Sequence, residues 1–269
     1  MEGWGSSKGA LTIVNALPTG KGAALGVELS VTARVRLLPG LTSRVEGYPE
    51  KVCFAALSRL GGGDYGVDVE VKSEIPWAVG MKSSSAVTNA IILATADALG
   101  SKIKAMDVLG LNAEINRGLG VSRTGALDDA AACLFGGIVV TDNLKDRLIQ
   151  AYQPEPEVAV FLIPAGATRP KMPEKFRAGV CDCSLTAYSL AMRGNYHEAA
   201  SLNGSVIAGQ LGYSLKPVTS ALRNGASSAG ITGNGPAYAA LACSDTVEKI
   251  AGEWTAMGRV IRVRVAMRS

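Results

Sequence analysis

From Val27 to Leu37 the chain alternates strictly. Val27, Leu29, Val31, Ala33, Val35 and Leu37 fall at odd positions, with Glu28, Ser30, Thr32, Arg34 and Arg36 between them. A side-chain period of two over this length dictates a long, half-buried antiparallel strand, apolar on one face and solvated on the other. Pro39-Gly40 predicts its end. Val67, Val69 and Val71, separated by Asp68 and Glu70, repeat the pattern. Ala10–Ala16 and Ile138–Thr141 are short apolar runs that read as further strands, and Glu50–Leu60 as a short helix or strand.

The period then changes. Val87, Ile91, Ala94 and Ala98 recur at helical spacing, with serines 83–85 available as caps and Gly100 as the stop. Helical patterns follow over 105–119 and from Ala126 to Gly136-Gly137. Gln153-Pro154-Glu155-Pro156 predicts a link between two lobes, 1–152 and 153–269. In the second, Val158–Ile163 reads as a buried strand. Helical patterns cover Leu185–Met192, Tyr196–Leu211, Val218–Arg223 and Asp245–Met257. Gly230–Thr232 and Ala237–Ala242 flank a glycine turn, and Arg259–Ala266 closes as a strand with Val260, Val263 and Val265 inward. Strands mixed with helix pairs imply an α+β fold.

Composition excludes several function classes. Apolar residues make up 48% and charged ones 19% of 269 residues, which favours a buried core over disorder. The net charge of +4 is spread along the chain, so nucleic acid is not an expected partner. No apolar run reaches the ~20 residues of a membrane span, and no signal peptide is expected; a cytoplasmic protein follows. Five scattered cysteines suit reduced thiols, and Cys181-x-Cys183 lacks the second pair a zinc site needs. His197 is the single histidine. No Ser-His-Asp triad forms without it, and it reads as a surface helix residue.

The segment carrying most chemistry is Pro76-Trp77-Ala78-Val79-Gly80-Met81-Lys82-Ser83-Ser84-Ser85-Ala86. A glycine and three hydroxyls sit where a loop enters a helix. The first helical N–H groups lack partners and the helix dipole is positive there, so the segment reads as a phosphate site, or alternatively as a plain serine cap. Thr19-Gly20-Lys21-Gly22 lacks the upstream Gly and the hydroxyl of a Walker loop.

Pro76–Ala86 resembles the central P-x-x-x-G-L-x-S-S-[GAS]-A motif of the GHMP kinases, with Met81 for Leu. Asn15–Gly22 resembles their N-terminal substrate-side motif, and Gly230-Ile231-Thr232-Gly233-Asn234-Gly235-Pro236 their C-terminal glycine-rich motif, all in family order. Lys82, Thr19–Ala24 and Thr124-Gly125-Ala126-Leu127-Asp128-Asp129-Ala130 are most similar to the archaeal-type shikimate kinase branch. The resemblance implies a two-lobed fold, with an N-lobe like ribosomal protein S5 domain 2 and a ferredoxin-like C-lobe. It implies phosphoryl transfer from Mg²⁺-ATP to a hydroxyl of shikimate. Homoserine and mevalonate kinases, and a non-catalytic protein of the same fold, are the alternatives.

By the same resemblance, Pro76, Gly80, Lys82, Ser83, Ser84, Ser85 and Ala86 hold the nucleotide, and Ser84 and Glu114 the metal. Thr19, Gly20, Thr232, Gly233 and Gly235 face the substrate. Asp128 or Asp129 is the base, with spacing to Gly136-Gly137 favouring Asp129, and Lys21 supports the reacting charge or pairs with that Asp. Lys8, Arg34, Arg36 and Arg123 are the available cations for a substrate carboxylate. The oligomeric state is not legible.

Overall fold

The computed structural model describes residues 1–39, 47–63 and 65–268. The alternating segment is the axis of the first sheet. Strand β2 (Lys21–Pro39) pairs antiparallel with β1 (Glu2–Val14) along its whole length. On its other side β2 is shared, its second half pairing with β3 (Tyr65–Ser73) and its start with β4 (Ile138–Asp142). The odd residues Val27–Leu37 are buried as the period demands. The Gly40 stop lies outside the described residues.

Two elements differ from expectation. β1 begins eight residues before Ala10, in the Gly/Ser-rich stretch Glu2–Gly9. Glycine is there for close approach rather than for a turn. A Cβ at Gly3 or Gly5 would overlap the backbone of helix α2 (Ser83–Ala98), which lies directly across β1. The second is β5 (Arg147–Tyr152), an edge strand paired with β4. Its few apolar residues leave no clear alternation to read.

Glu50–Leu60 belongs to a helix, α1 (Tyr48–Leu60), entered through Pro49 and stopped by left-handed Gly61. Helices α3 (Ala105–Gly118) and α4 (Leu127–Phe135) pack with α2 beside the sheet.

Sheet membership changes between Tyr152 and Val158, where the Pro-rich link was expected. The second sheet has the order β7-β8-β6-β9, from β6 (Val158–Pro164), β7 (Ser228–Ile231), β8 (Tyr238–Ala242) and β9 (Gly258–Arg264). Helices α5 (Ala178–Met192), α6 (Tyr196–Leu211) and α7 (Lys216–Arg223) lie between β6 and β7, and α8 (Ser244–Thr255) between β8 and β9. This is the βαββαβ order of a ferredoxin-like unit.

Its sheet is covered on both faces. Ala159, Phe161, Ala239 and Leu241 join the core of the first lobe; Val160, Leu162, Tyr238 and Ala240 join a second core with Ile250 and Trp254. That is why Val158–Ile163 reads as an unbroken apolar run. It also corrects β9: Val263 packs on the first core and Val260 on the second, since an odd and an even residue of one strand point apart. After β9 the chain returns to the first sheet, where Ala266 N donates to Gly26 O (2.9 Å) and Gly137 N to Ala266 O (2.7 Å).

Among the described residues no helix is long and apolar enough to cross a membrane, and no group of three His, Cys, Asp or Glu could hold a metal. His197 is not a free surface residue. Its Nε2 lies 2.8 Å from Oε2 of Glu157, which is 6% exposed.

Candidate active site

Helices α2 and α4 open into one cleft of about 540 Å³. Each starts from a non-glycine residue in the left-handed region, Lys82 at φ 64° and Ala126 at φ 52°, and neither has a side-chain cap. Such backbone costs of order 1–3 kcal/mol and concentrates at functional sites. The serine-cap reading of residues 83–85 therefore fails: no serine caps α2, and its N-terminus meets the cleft without a capping side chain.

The three glycine-containing segments meet behind this helix. Thr232 Oγ1 donates to Gly80 O (3.1 Å) and accepts from Thr12 N (3.1 Å), and Gly233 N donates to Thr12 Oγ1 (2.7 Å). Gly80 sits at φ 96°, and any Cβ there would strike Thr232 O. Asn15 Nδ2 donates to Gly233 O and to Asn234 Oδ1, both at 3.0 Å. Gly80, Lys82, Ser83, Ser84 and Gly233 line the cleft. Pro76, Ser85, Ala86, Thr232 and Gly235 do not line it. Thr19 and Gly20 shape the turn into β2, where Gly20 N donates to Ala16 O (2.7 Å) and Lys21 N to Thr19 Oγ1 (3.2 Å).

Both carboxylates of α4 reach the cleft, in different states. Asp129 Oδ1 stands 2.9 Å from Lys82 Nζ, an ion pair without hydrogen-bond alignment. Asp128 is 4% exposed and accepts from Asn143 Nδ2 at 2.7 Å. Burial first, and then the charge of Asp129, push its carboxyl up to about 7; Lys82 and the Asn143 bond offset only part of this.

Thr19 and Gly20 do not line the cleft, and Lys21 and Glu114 also lie elsewhere. Lys21 Nζ donates to Asp142 Oδ2 (2.7 Å) and lies over the Tyr188 ring, so it pairs with neither Asp128 nor Asp129. Its neighbour Gly22 is the residue packed against Asp128, and successive strand residues point to opposite faces. Glu114 forms an ion pair with Arg59 on the exposed side of α3. Asn112 and Asn116 face inward, and a residue two positions along a helix from each lies about 200° around from it.

Of the cations considered for a carboxylate, Arg123 lines the cleft, whereas Lys8, Arg34 and Arg36 pair with Glu28, Glu70 and Glu2 on the solvated strand face. Sequence reasoning missed Arg169, Tyr48 and Asn143. Arg169 lines the cleft and donates from Nε to Gly235 O (3.2 Å). Nothing in the local sequence marks it; only the fold brings the segment after β6 over the glycine turn.

This geometry can hold a polyanion at α2 and a hydroxyl compound beside Asp128. Residues 48–137 match the family model described as GHMP kinases N terminal domain. A shikimate kinase from Methanothrix thermoacetophila is 39% identical, with 100% of this chain and 96% of that protein covered. The chain belongs to the GHMP kinases. A second relative of this GHMP kinase is the shikimate kinase of Pyrococcus furiosus, 36% identical over 97% of the chain and 98% of that protein. Its fold is also that of solved members of the family. Homoserine kinase from Cytophaga hutchinsonii superposes with a TM-score of 0.76 at 19% identity, covering 99% of this chain and 96% of that one. Methanococcus jannaschii mevalonate kinase gives 0.75 at 14%, covering 100% and 98%.

Proposed function

We propose that this kinase transfers the γ-phosphoryl group of ATP to a hydroxyl of shikimate. The observation that carries the chemistry is the buried Asp128, with its pKa near neutrality, in the same cleft as the uncapped N-terminus of α2. The acceptor is taken from the relatives named shikimate kinase, which match at 35–39% identity over nearly the full length.

Phosphoryl transfer asks a protein mainly for alignment and charge neutralisation. The leading N–H groups of α2 and the Lys82 ammonium receive the phosphates. Asp128 takes the proton of the attacking hydroxyl, a role suited to a carboxyl poised near the working pH. Asp129 holds Lys82 in place between the two. Arg123 and Arg169, from opposite lobes, supply positive charge for an acidic acceptor. Mg²⁺ arriving with ATP would neutralise phosphate charge and would need only one or two protein oxygens. Ser84 Oγ and the Asp129 carboxylate, which line the cleft, would fit that need; Glu114, which does not line it, would not.

The test is ADP release from the purified protein with shikimate, homoserine or mevalonate as acceptor. Turnover with shikimate is expected. Activity on either alternative but not on shikimate would overturn the acceptor and leave the phosphoryl chemistry standing.

A further inference from the structure

Behind the cleft, the phosphate-site helix and the carboxylate helix are tied by side-chain amides rather than by apolar packing alone. Asn89, Asn112 and Asn116 are each no more than 1% exposed. Their bonds run head to tail. Tyr48 Oη, at the cleft, donates to Asn116 Oδ1 (2.9 Å). Asn116 Nδ2 donates to Asn112 Oδ1 (2.6 Å), Asn112 Nδ2 to Asn89 Oδ1 (2.8 Å), and Asn89 Nδ2 to the backbone oxygen of Ala130 (2.9 Å). Ala130 follows Asp128 and Asp129 on α4.

Side branches reach the other walls of the site. Asn112 Nδ2 also donates to Ser85 O (2.9 Å) in the first turn of α2. The backbone oxygen of Asn116 accepts from Val121 N (2.9 Å) and Ser122 N (3.1 Å), in the loop that lines the cleft. Every amide oxygen and nitrogen of the three asparagines has a partner.

Stability alone does not call for this arrangement. Buried polar groups are costly unless fully paired, and apolar side chains of the same volume often serve stability as well or better. Directional bonds provide what apolar packing lacks: a single relative placement of the helices they join, with each bond polarising the next. We infer that Tyr48, Asn116, Asn112 and Asn89 form a positioning relay that sets α4, and with it Asp128, in register with the N-terminus of α2. None of the three asparagines lines the cleft, so they are positioning residues. The inference rests on the roles proposed above for α2 and Asp128.

Asn89→Leu keeps the branched side-chain skeleton, at a larger volume, and removes the link to α4. In the folded variant, checked by circular dichroism, kcat is expected to fall about 10- to 100-fold, the scale of a misplacement near 1 Å, with KM for ATP kept within about threefold. The same substitution in an Asp128→Asn background should change kcat by less than about threefold, because a group acting through Asp128 has nothing left to position. A folded Asn89→Leu with kcat within twofold of wild type, a loss carried by KM, or losses that multiply in the double variant would each overturn the relay. If Asn89→Leu does not fold, Tyr48→Phe tests the other end. Tyr48 Oη also contacts Thr88 Oγ1 (2.6 Å) and Ser84 O (3.4 Å), so kcat should fall at least about three- to tenfold, the scale of one or more hydrogen bonds, and an unchanged kcat would overturn the relay. Failure of the underlying reading looks different: Asp128→Asn alone would keep full activity, and the split between kcat and KM in Asn89→Leu would then decide the relay by itself.

Discussion

Asp128 rests on Gly22: a methyl group at residue 22 would lie 2.5 Å from Asp128 Oδ2. The glycine of the N-terminal motif is thus a packing partner of the carboxylate and leaves no room for a side chain. Gly22→Ala should displace Asp128 and lower kcat by at least about tenfold, given the cost of misplacing a reacting group. Nucleotide affinity, measured by titration with ADP, should be retained, because α2 is untouched. An alanine variant with wild-type kcat would show that Asp128 has slack.

The two neighbouring carboxylates should separate cleanly. Asp128→Asn keeps shape and the contact with Asn143 but removes the base, and kcat should fall ~10²–10⁴-fold. Asp129→Asn frees Lys82 from its partner and should act chiefly on nucleotide binding. Spacing in the sequence favours Asp129 as base. The role proposed above prefers Asp128 instead, because Asp129 is engaged by a cation 2.9 Å away while Asp128 is buried. Steady-state kinetics of the two variants decides between them.

Asp128 also fixes the pH dependence. Its carboxyl titrates near 3.8 in the unfolded chain and near 7 when folded. Between those values the folded state holds the extra proton, so this group's contribution to stability is full below about pH 4 and is lost as pH rises through 7. Glu157 runs the other way. Burial raises it, but bonds from His197, Ser227 and Tyr196 outweigh burial and hold it low, so its contribution is lost on acidification. The diagnostic quantity is therefore the difference between Asp128→Asn and wild type. The variant should gain relative stability in thermal melts from pH 5 to 8, and the acid limb of wild-type kcat/KM should lie near pH 7. A difference that is flat with pH would place the ionisation elsewhere.

Among the serines, Ser83 and Ser84 line the cleft, whereas Ser85 is 1% exposed and does not line it. Ser84→Ala should raise KM for Mg²⁺-ATP or lower kcat by about tenfold, the loss of a hydrogen bond to a charged group. Ser85→Ala should change either constant by less than about threefold. Equal small effects at both would contradict a phosphate role for the loop.

What the sequence reveals and what it hides follow from the range of the interactions. The period-two run, the loop that enters α2 and the glycine turn are local, and each lies where the residues predict. Asn89, Asn112 and Asn116 are spread over two helices, and each reads as a solvated polar residue until α2, α3 and α4 are packed together. Arg169 enters the cleft only through the fold of the second lobe. Gly3 and Gly5 supply no apolar side chain to mark a strand, yet they are what lets α2 cross β1.

The same limit accounts for Lys21 and Glu114, and gives the last prediction. Both have the residue type that phosphoryl transfer uses and stand near the right place in the chain. Lys21, however, is on the strand face opposite Gly22, where Asp142 and the Tyr188 ring hold it. Its ammonium pKa is raised, first by the hydrogen bond to Asp142, so it remains charged and engaged there. Glu114 is solvent-exposed with Arg59, and exposed pairs of this kind contribute little because solvent screens them. Glu114→Gln should therefore leave kcat and the Mg²⁺ dependence of the reaction within about twofold of wild type and barely move the melting temperature. Lys21→Met should keep kcat within about threefold while lowering stability more, because it leaves Asp142, 5% exposed, without its cation. A hundredfold loss of kcat in Lys21→Met, or a raised Mg²⁺ requirement in Glu114→Gln, would mean that ligand binding draws these side chains into a cleft they do not line in this structure.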